Sequence, residues 1–178
     1  FAQCWAVLAG DAKGKKPMLR CMKATGTKKL IDSLSATVSS GEVLAIMGPS
    51  GSGKTMLLNT PTLEKGPGKV SGTVTLNGEK FTYDRFRKYA AYVPKEDTLW
   101  ASLTARQHLE HAFVLERPQL TAEERAAKVD ALLEATGLTS AQHTKAGNAI
   151  FKGLSGGQKR RLALAIVLVK EPKVLILD

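Results

Sequence analysis

The sequence predicts an α/β domain with a mostly parallel sheet, an antiparallel β subdomain and a helical subdomain. Three observations predict it. A short apolar run at 43–47 passes through a turn holding three glycines into residues 54–59, which suit a helix. Val174–Leu177 is continuously apolar, as expected of a strand covered on both faces in a parallel sheet. Between them, residues 99–150 carry helix-start signals and helical spacing of apolar positions.

Along the chain, residues 1–29 form a basic segment with no assigned element, and 10–29, rich in Lys and Gly, read as a loop or a strand-loop-strand insertion. The domain proper is expected over 30–178. Pro61 is expected to stop the first helix early, because proline has no amide to donate. Residues 74–76 followed by Asn77 and Gly78 predict a strand entering a tight hairpin turn. Residues 89–93 predict another strand, ended by Pro94. Thr104 with Gln107, and Thr121 with Glu124, have capping-box spacing and each opens a helix of the 99–150 insert. In the second, Ala126, Val129, Leu132, Leu133 and Thr136 keep helical spacing, and Gly137 supplies the C-terminal cap. A further helix is expected from Ser155 to about Lys170, with Pro172 just past its end.

Composition excludes several classes. The 178 residues, 43% of them apolar, suffice for one folded domain and would be cramped for two. The longest uninterrupted apolar run, 162–169, is far short of the roughly 20 residues that cross a bilayer. Gly10, Asp11 and Lys13 interrupt any signal-peptide core. Beginning at Phe1 and stopping on a strand at Asp178, the chain reads as an excerpt with both ends cut. Cys4 and Cys21 have no His or Cys at metal-ligand spacing and are expected to be reduced thiols. Half of the net charge of +10 falls in residues 1–40. That segment suits an anionic membrane surface, and its lysines lack the interleaved aromatics of a single-strand nucleic-acid platform, so no nucleic-acid partner is expected.

Residues Gly48, Pro49, Ser50, Gly51, Ser52, Gly53, Lys54 and Thr55 match the phosphate-loop pattern at every fixed place, between a predicted strand and a predicted helix. Glycines let backbone amides approach phosphate, the helix start adds partial positive charge, Lys54 reaches the β and γ phosphates, and the Thr55 hydroxyl suits magnesium. This implies a nucleotide with Mg2+ as ligands, and kinases, GTPases and transport ATPases all remain open. Leu154, Ser155, Gly156, Gly157 and Gln158 then precede a helix, with Ser155 as N-cap and the glycine amides free to face a second phosphate.

These two motifs in this order, followed by the strand ending at Asp178, resemble the nucleotide-binding domain of ABC transporters, whose core is the P-loop NTPase fold. "GEVLAIMGPSGSGKT", "VSGTVTLNG", "YVPKEDTL" and "GLSGGQKRRLALAIVLVKEPKVLILD" are similar to the G subfamily, the White-type and pleiotropic-drug-resistance exporters, over about residues 30–178. The resemblance implies that Asp178 helps hold magnesium through water. It also implies that two domains pair head to tail, so that the 154–158 signature serves a nucleotide held by the partner. The expected function is the motor domain of a membrane exporter of lipid or hydrophobic small molecules. This domain would lie on the cytoplasmic side, with a transmembrane domain following in the full protein. Alternatives are a soluble ABC ATPase acting on ribosomes or nucleic acid, and a regulatory domain that does not hydrolyse.

The sequence departs from that family at Lys95, where glutamine usually stands and touches magnesium and the attacking water. A lysine has no acceptor. As a catalytic-site residue beside Lys54 it would repel magnesium or replace some of its charge, or else face solvent while Glu96 or Asp97 compensates. The family's catalytic glutamate, next after Asp178, and its histidine switch fall outside the 178 residues, which are expected to bind MgATP weakly without turnover. His108, His111 and His143 are expected on surfaces of the helical insert. Trp5 is a candidate to stack on adenine, with packing as the alternative, and Met56 is expected to pack.

Overall fold

The computed structural model describes residues 31, 34–62, 71–96, 98–148 and 150–178. The chain divides into two compact units, Phe1–Ala90 with Lys173–Leu177 and Ala91–Pro172 with Asp178. The expectations for Cys4, Trp5, Cys21 and the basic segment 1–29 lie outside the described residues.

In the first unit, α1 (Lys54–Thr62) starts at the glycine-rich turn and buries Leu58. It runs one residue past Pro61, a correction to the expected early stop: a proline in the last turn removes a single amide donor, which a helix end tolerates. The 43–47 run pairs through isolated bridges at Val43, Ala45 and Met47 in place of a continuous strand. Val43 and Met47 are largely exposed. Met56 is 42% exposed, so it does not pack as expected.

The hairpin forms as predicted. Strands β1 (Thr75–Leu76) and β2 (Glu79–Lys80) pair antiparallel, Thr75 opposite Lys80 and Leu76 opposite Glu79. Asn77 (φ 53°) and Gly78 (φ 79°) both take the left-handed backbone that a two-residue type I′ turn requires. Helix α2 (Tyr83–Tyr89) was not legible as a periodic pattern. Thr82 caps it by accepting from the Arg85 amide, Asp84 sits in its first turn, and Arg87 and Lys88 sit in its last, each complementing the helix dipole. Phe86 packs edge-on against buried Phe81, with ring centroids 6.0 Å apart. Tyr89 ends this helix, so the strand expected over 89–93 becomes β3 (Ala90–Val93).

The second unit is built on helices. Their order is α3 (Ala105–Glu116), α4 (Ala122–Ala135), a 3₁₀ turn (Thr139–Ala141) and α5 (Gly156–Leu168). Both predicted capping boxes form: the Thr104 and Thr121 hydroxyls accept from the amides of Gln107 and Glu124, whose side chains accept from the cap amides in return. α4 closes with a Schellman arrangement, the Gly137 amide bonding Glu134 O and the Leu138 amide bonding Leu133 O. Leu133 and Leu138 are both fully buried, so the hydrophobic contact that accompanies this cap joins the core. One cluster holds the unit together: Leu109 and Phe113 of α3, Val129 and Leu133 of α4, and Leu162 and Ala165 of α5, with Leu138 and Leu154 from the connections. Burying each of the larger side chains stabilises the unit by about 1.5–3 kcal/mol relative to exposure. α5 ends at Leu168, two residues before the expected end, with Glu171 (φ 53°) turning the chain out of it.

β4 (Val174–Leu177) forms as predicted and shares a two-stranded sheet with β3. Lys173 N–H bonds Tyr89 O (2.7 Å) and Asp178 N–H bonds Val93 O (3.0 Å), so residue numbers rise together along both strands and the sheet is parallel. No helix among the described residues is long and apolar enough to cross a membrane.

Candidate functional site

The phosphate-loop residues lie in the first unit. Lys54 opens α1, and its amine folds back over the loop that precedes it. Nζ lies 2.8 Å from both Gly48 O and Pro49 O, and 3.5 Å from Ser52 Oγ. The loop is drawn tight by the Ser52 amide bonding Pro49 O (3.2 Å). Gly51 (φ 80°) and Gly53 (φ 94°) hold backbone angles that side chains disfavour. A Cβ at Gly48 would meet Ser52 Oγ at 2.9 Å. The result is a short concave turn with a cation at its centre and a helix start behind it, which fits a phosphate group. Ser50 and Thr55 are exposed on the same loop and first turn.

The signature residues lie in the second unit and are far more constrained. Ser155 is the N-cap of α5, with Oγ accepting from the Gln158 amide (3.3 Å) while Gln158 Oε1 accepts from the Ser155 amide (2.8 Å). Gln158 is thus half of a third capping box, which the Ser-x-x-Gln spacing also encodes. Leu154 is buried in the helical core, so it anchors the motif, and Ser155, Gly156 and Gly157 remain at the surface. Cβ atoms built on Gly156 and Gly157 meet nothing within 4 Å. Nothing in the described chain demands glycine at the start of this helix, where it disfavours the helical state. The segment leading in does demand it. A Cβ on Gly153 would stand 2.4 Å from Ala146 O, and one on Gly147 would stand 2.7 Å from Phe151 O. Asn148 Oδ1 accepts from the amides of Ile150 (2.9 Å) and Phe151 (2.8 Å), which folds the loop tip and leaves both apolar side chains largely exposed.

Asp178 and Lys95 follow the C-terminal ends of the two parallel strands. Tyr92 donates its hydroxyl to Asp178 Oδ2 at 3.2 Å. Arg160, in the second turn of α5, donates to Pro94 O and to Asp178 O. Lys95, next after Pro94, is exposed. Neither Tyr92 nor Arg160 was singled out from the sequence. No local signal marks either, because Tyr92 and Asp178 are 86 positions apart and Arg160 and Pro94 are 66 apart.

His108 corrects a sequence expectation. His111 and His143 are exposed, but His108 is 8% exposed. Its Nδ1 lies 2.8 Å from Thr104 O, and its Nε2 accepts from the Trp100 amide at 3.0 Å, which requires the neutral ring. Burial holds its pKa below the ordinary 6.5, outweighing the opposing effect of the Thr104 hydrogen bond. It fastens the loop before α3 to that helix. At the far end of the unit, Glu171 receives Lys128 (3.2 Å) and Arg117 (3.0 Å), and the hydrogen bond from Lys128 is the main cause of its lowered pKa.

Comparison with known proteins fits this arrangement. A family profile described as ABC transporter matches residues 31–178. ABC transporter G family member 19 of Arabidopsis thaliana is 36% identical over 158 residues, covering 88% of this chain and 22% of its own length. G family member 12 of Dictyostelium discoideum is 35% identical over 154 residues, covering 84% of this chain and 24% of its own. G family member 1 of Petunia hybrida is 37% identical over 155 residues, covering 86% and 24% respectively. The chain spans less than a quarter of the length of these relatives. With its phosphate loop and signature helix both inside the matched stretch, the chain belongs to the ABC transporter family, and within it to the G family.

Proposed function

We propose that this chain is the ATP-binding motor domain of a membrane exporter, coupling ATP binding and hydrolysis to the outward movement of a lipid or hydrophobic small molecule. The observation that carries this reading is the tight loop at 48–53 closing on Lys54 at the head of α1. Loop amides and Lys54 take the phosphate tail, Thr55 offers its hydroxyl to magnesium, and Asp178 offers its carboxylate to the same ion through water. Magnesium, when bound, offsets the charge of the phosphates and polarises the terminal one. Tyr92 fixes one oxygen of Asp178 and so orients the other.

The signature serves a nucleotide held by a second copy or second half. Bare glycines at the start of α5 support this, because they keep the helix end open to a large anionic group at a cost to helix stability. Such pairing closes on ATP and opens after hydrolysis, which moves the attached membrane helices by differential affinity for two states. Lys95 brings a cation where the family's glutamine would accept a hydrogen bond, so it weakens hydrolysis more than binding. Strong inhibition by Lys95 would make the domain regulatory.

The test is reconstitution of the intact protein in proteoliposomes, with and without Lys54→Ala. ATP-driven export that the substitution abolishes is the expected result. Undiminished ATP affinity and transport in Lys54→Ala overturns the reading. A Lys95→Gln version is expected to hydrolyse ATP faster than the parent at similar ATP affinity.

A further inference from the structure

Between the 3₁₀ turn and the signature, the chain leaves the helical core, makes a loop and returns. The outgoing limb is pinned to the segment before α3, with the Ala146 amide on Leu103 O (2.9 Å) and the Gly147 amide on Ala101 O (3.0 Å). The loop then narrows to a neck, where a Cβ on Gly147 would stand 2.8 Å from Gly153 Cα. Its tip closes on Asn148, whose amide bonds Phe151 O at 3.0 Å. The next residue after the neck is Leu154, where the signature begins. From the helix side Lys159 reaches back, and its Nζ donates to Gly147 O at 3.2 Å in a partly buried position. The Lys159 amide also bonds Ser155 O at 2.9 Å, which closes the first turn of α5. One residue thus closes the signature turn with its backbone and fastens the loop neck with its amine. The start of a helix already carries partial positive charge, and Arg160 and Arg161 follow directly, so this is an unfavourable place for a further cation. Folding onto the neck also costs a lysine side-chain freedom. The Gly147 carbonyl offsets both by accepting a charge-assisted hydrogen bond.

We propose that Lys159 is a positioning residue for the signature: by tying the loop neck at Gly147 to the first turn of α5, it sets the direction in which the Gly156 and Gly157 amides face a partner-held nucleotide. The proposal rests on the reading of the signature given above. Its geometric part stands apart from that reading, because every atom of the tie belongs to the helical unit of this chain. Lys159 acts through the main chain on either side of Ser155.

The experiment compares Lys159→Met, Lys159→Arg and Lys152→Met in the intact protein, by hydrogen–deuterium exchange, ATP titration and steady-state ATPase. Methionine keeps an unbranched stem and removes the charge and the donors. Lys152, exposed in the same loop, serves as the charge control. In Lys159→Met, exchange is expected to quicken in peptides covering 145–155, with α4 unchanged. kcat is expected to fall about tenfold, the scale of losing one hydrogen bond to a charged group. ATP affinity is expected to stay within about twofold, because the phosphate loop lies in the other unit. Lys159→Arg keeps a donor and should recover most of the exchange protection and kcat, and Lys152→Met should match the parent. Unchanged exchange over 145–155 overturns the proposal, and so does quickened exchange with unchanged kcat. A kcat loss that Lys152→Met reproduces, or that Lys159→Arg shares in full, overturns it as well. Protection lost across α4 too would make Lys159 a general support of the fold and also overturn it. Should Lys54→Ala hydrolyse ATP as the parent does, the nucleotide reading falls and the catalytic half of this proposal falls with it. The exchange data then still decide whether the tie exists.

Discussion

The two glycine-rich motifs of this chain are stabilised in opposite ways. The loop at 48–53 is exposed and is organised by its own atoms, chiefly the Lys54 amine on the carbonyls of Gly48 and Pro49. The 154–158 signature is organised from below, by buried Leu154 and a reciprocal Ser155–Gln158 cap. The lesson is that one motif depends on local backbone angles and the other on the core of a helical unit, so substitutions in them should separate affinity from stability.

The sharpest way to break that comparison is the pair Leu154→Ala and Lys54→Ala. Truncating the core leucine should cost about 2–5 kcal/mol, read as a drop in the chemical-denaturation midpoint. Lys54→Ala should leave that midpoint unchanged and weaken ATP binding at least about tenfold by titration, equivalent to about 1.4 kcal/mol. Equal destabilisation by both would erase the distinction. Ser155→Ala removes one half of the cap and should lower stability by about 1 kcal/mol, with Ser155→Asp restoring most of it. Gly157→Ala sharpens the contrast further: its surroundings are open, so stability should rise by about 0.4–1 kcal/mol, while ATPase of the paired domains falls. A gain in both would mean that no partner nucleotide approaches that helix.

The smallest effect is a pH dependence. His108 has its folded pKa below 6.5, so the unfolded chain binds its proton more readily. The stability it contributes is therefore fully present above about 6.5 and is lost as pH falls below that toward the lowered folded value. Denaturation midpoints should decline through this window, and His108→Gln should flatten the decline. An identical slope in both proteins would remove His108 from the account.

What was legible in the sequence was what short segments decide for themselves. The boxes at Thr104 and Thr121, the Asn77–Gly78 turn and the strand at Val174–Leu177 each follow from residues within one turn of each other. The phosphate loop belongs to the same class. α2 escaped notice because Tyr83–Tyr89 is held by a cap and a Phe81–Phe86 contact instead of an apolar period. His108 was misjudged because its ring closes on the Trp100 amide, eight positions back, a contact that helical spacing does not reveal. Arg160 and Tyr92 were missed because their partners are 66 and 86 positions away. Such pairings exist only once the strands have found their register.

The contact between Gly147 and Gly153 carries a mechanical consequence. Main chain lies directly on main chain there, at a separation that admits no methyl group, and the Leu154 amide bonds Lys145 O (3.0 Å) one step further on. Side-chain packing can yield by rotamer hops, but two backbones in register have no such slack. A force applied at the tip formed by Ile150 and Phe151 would therefore be transmitted to Ser155 with little damping, as through a stiff lever.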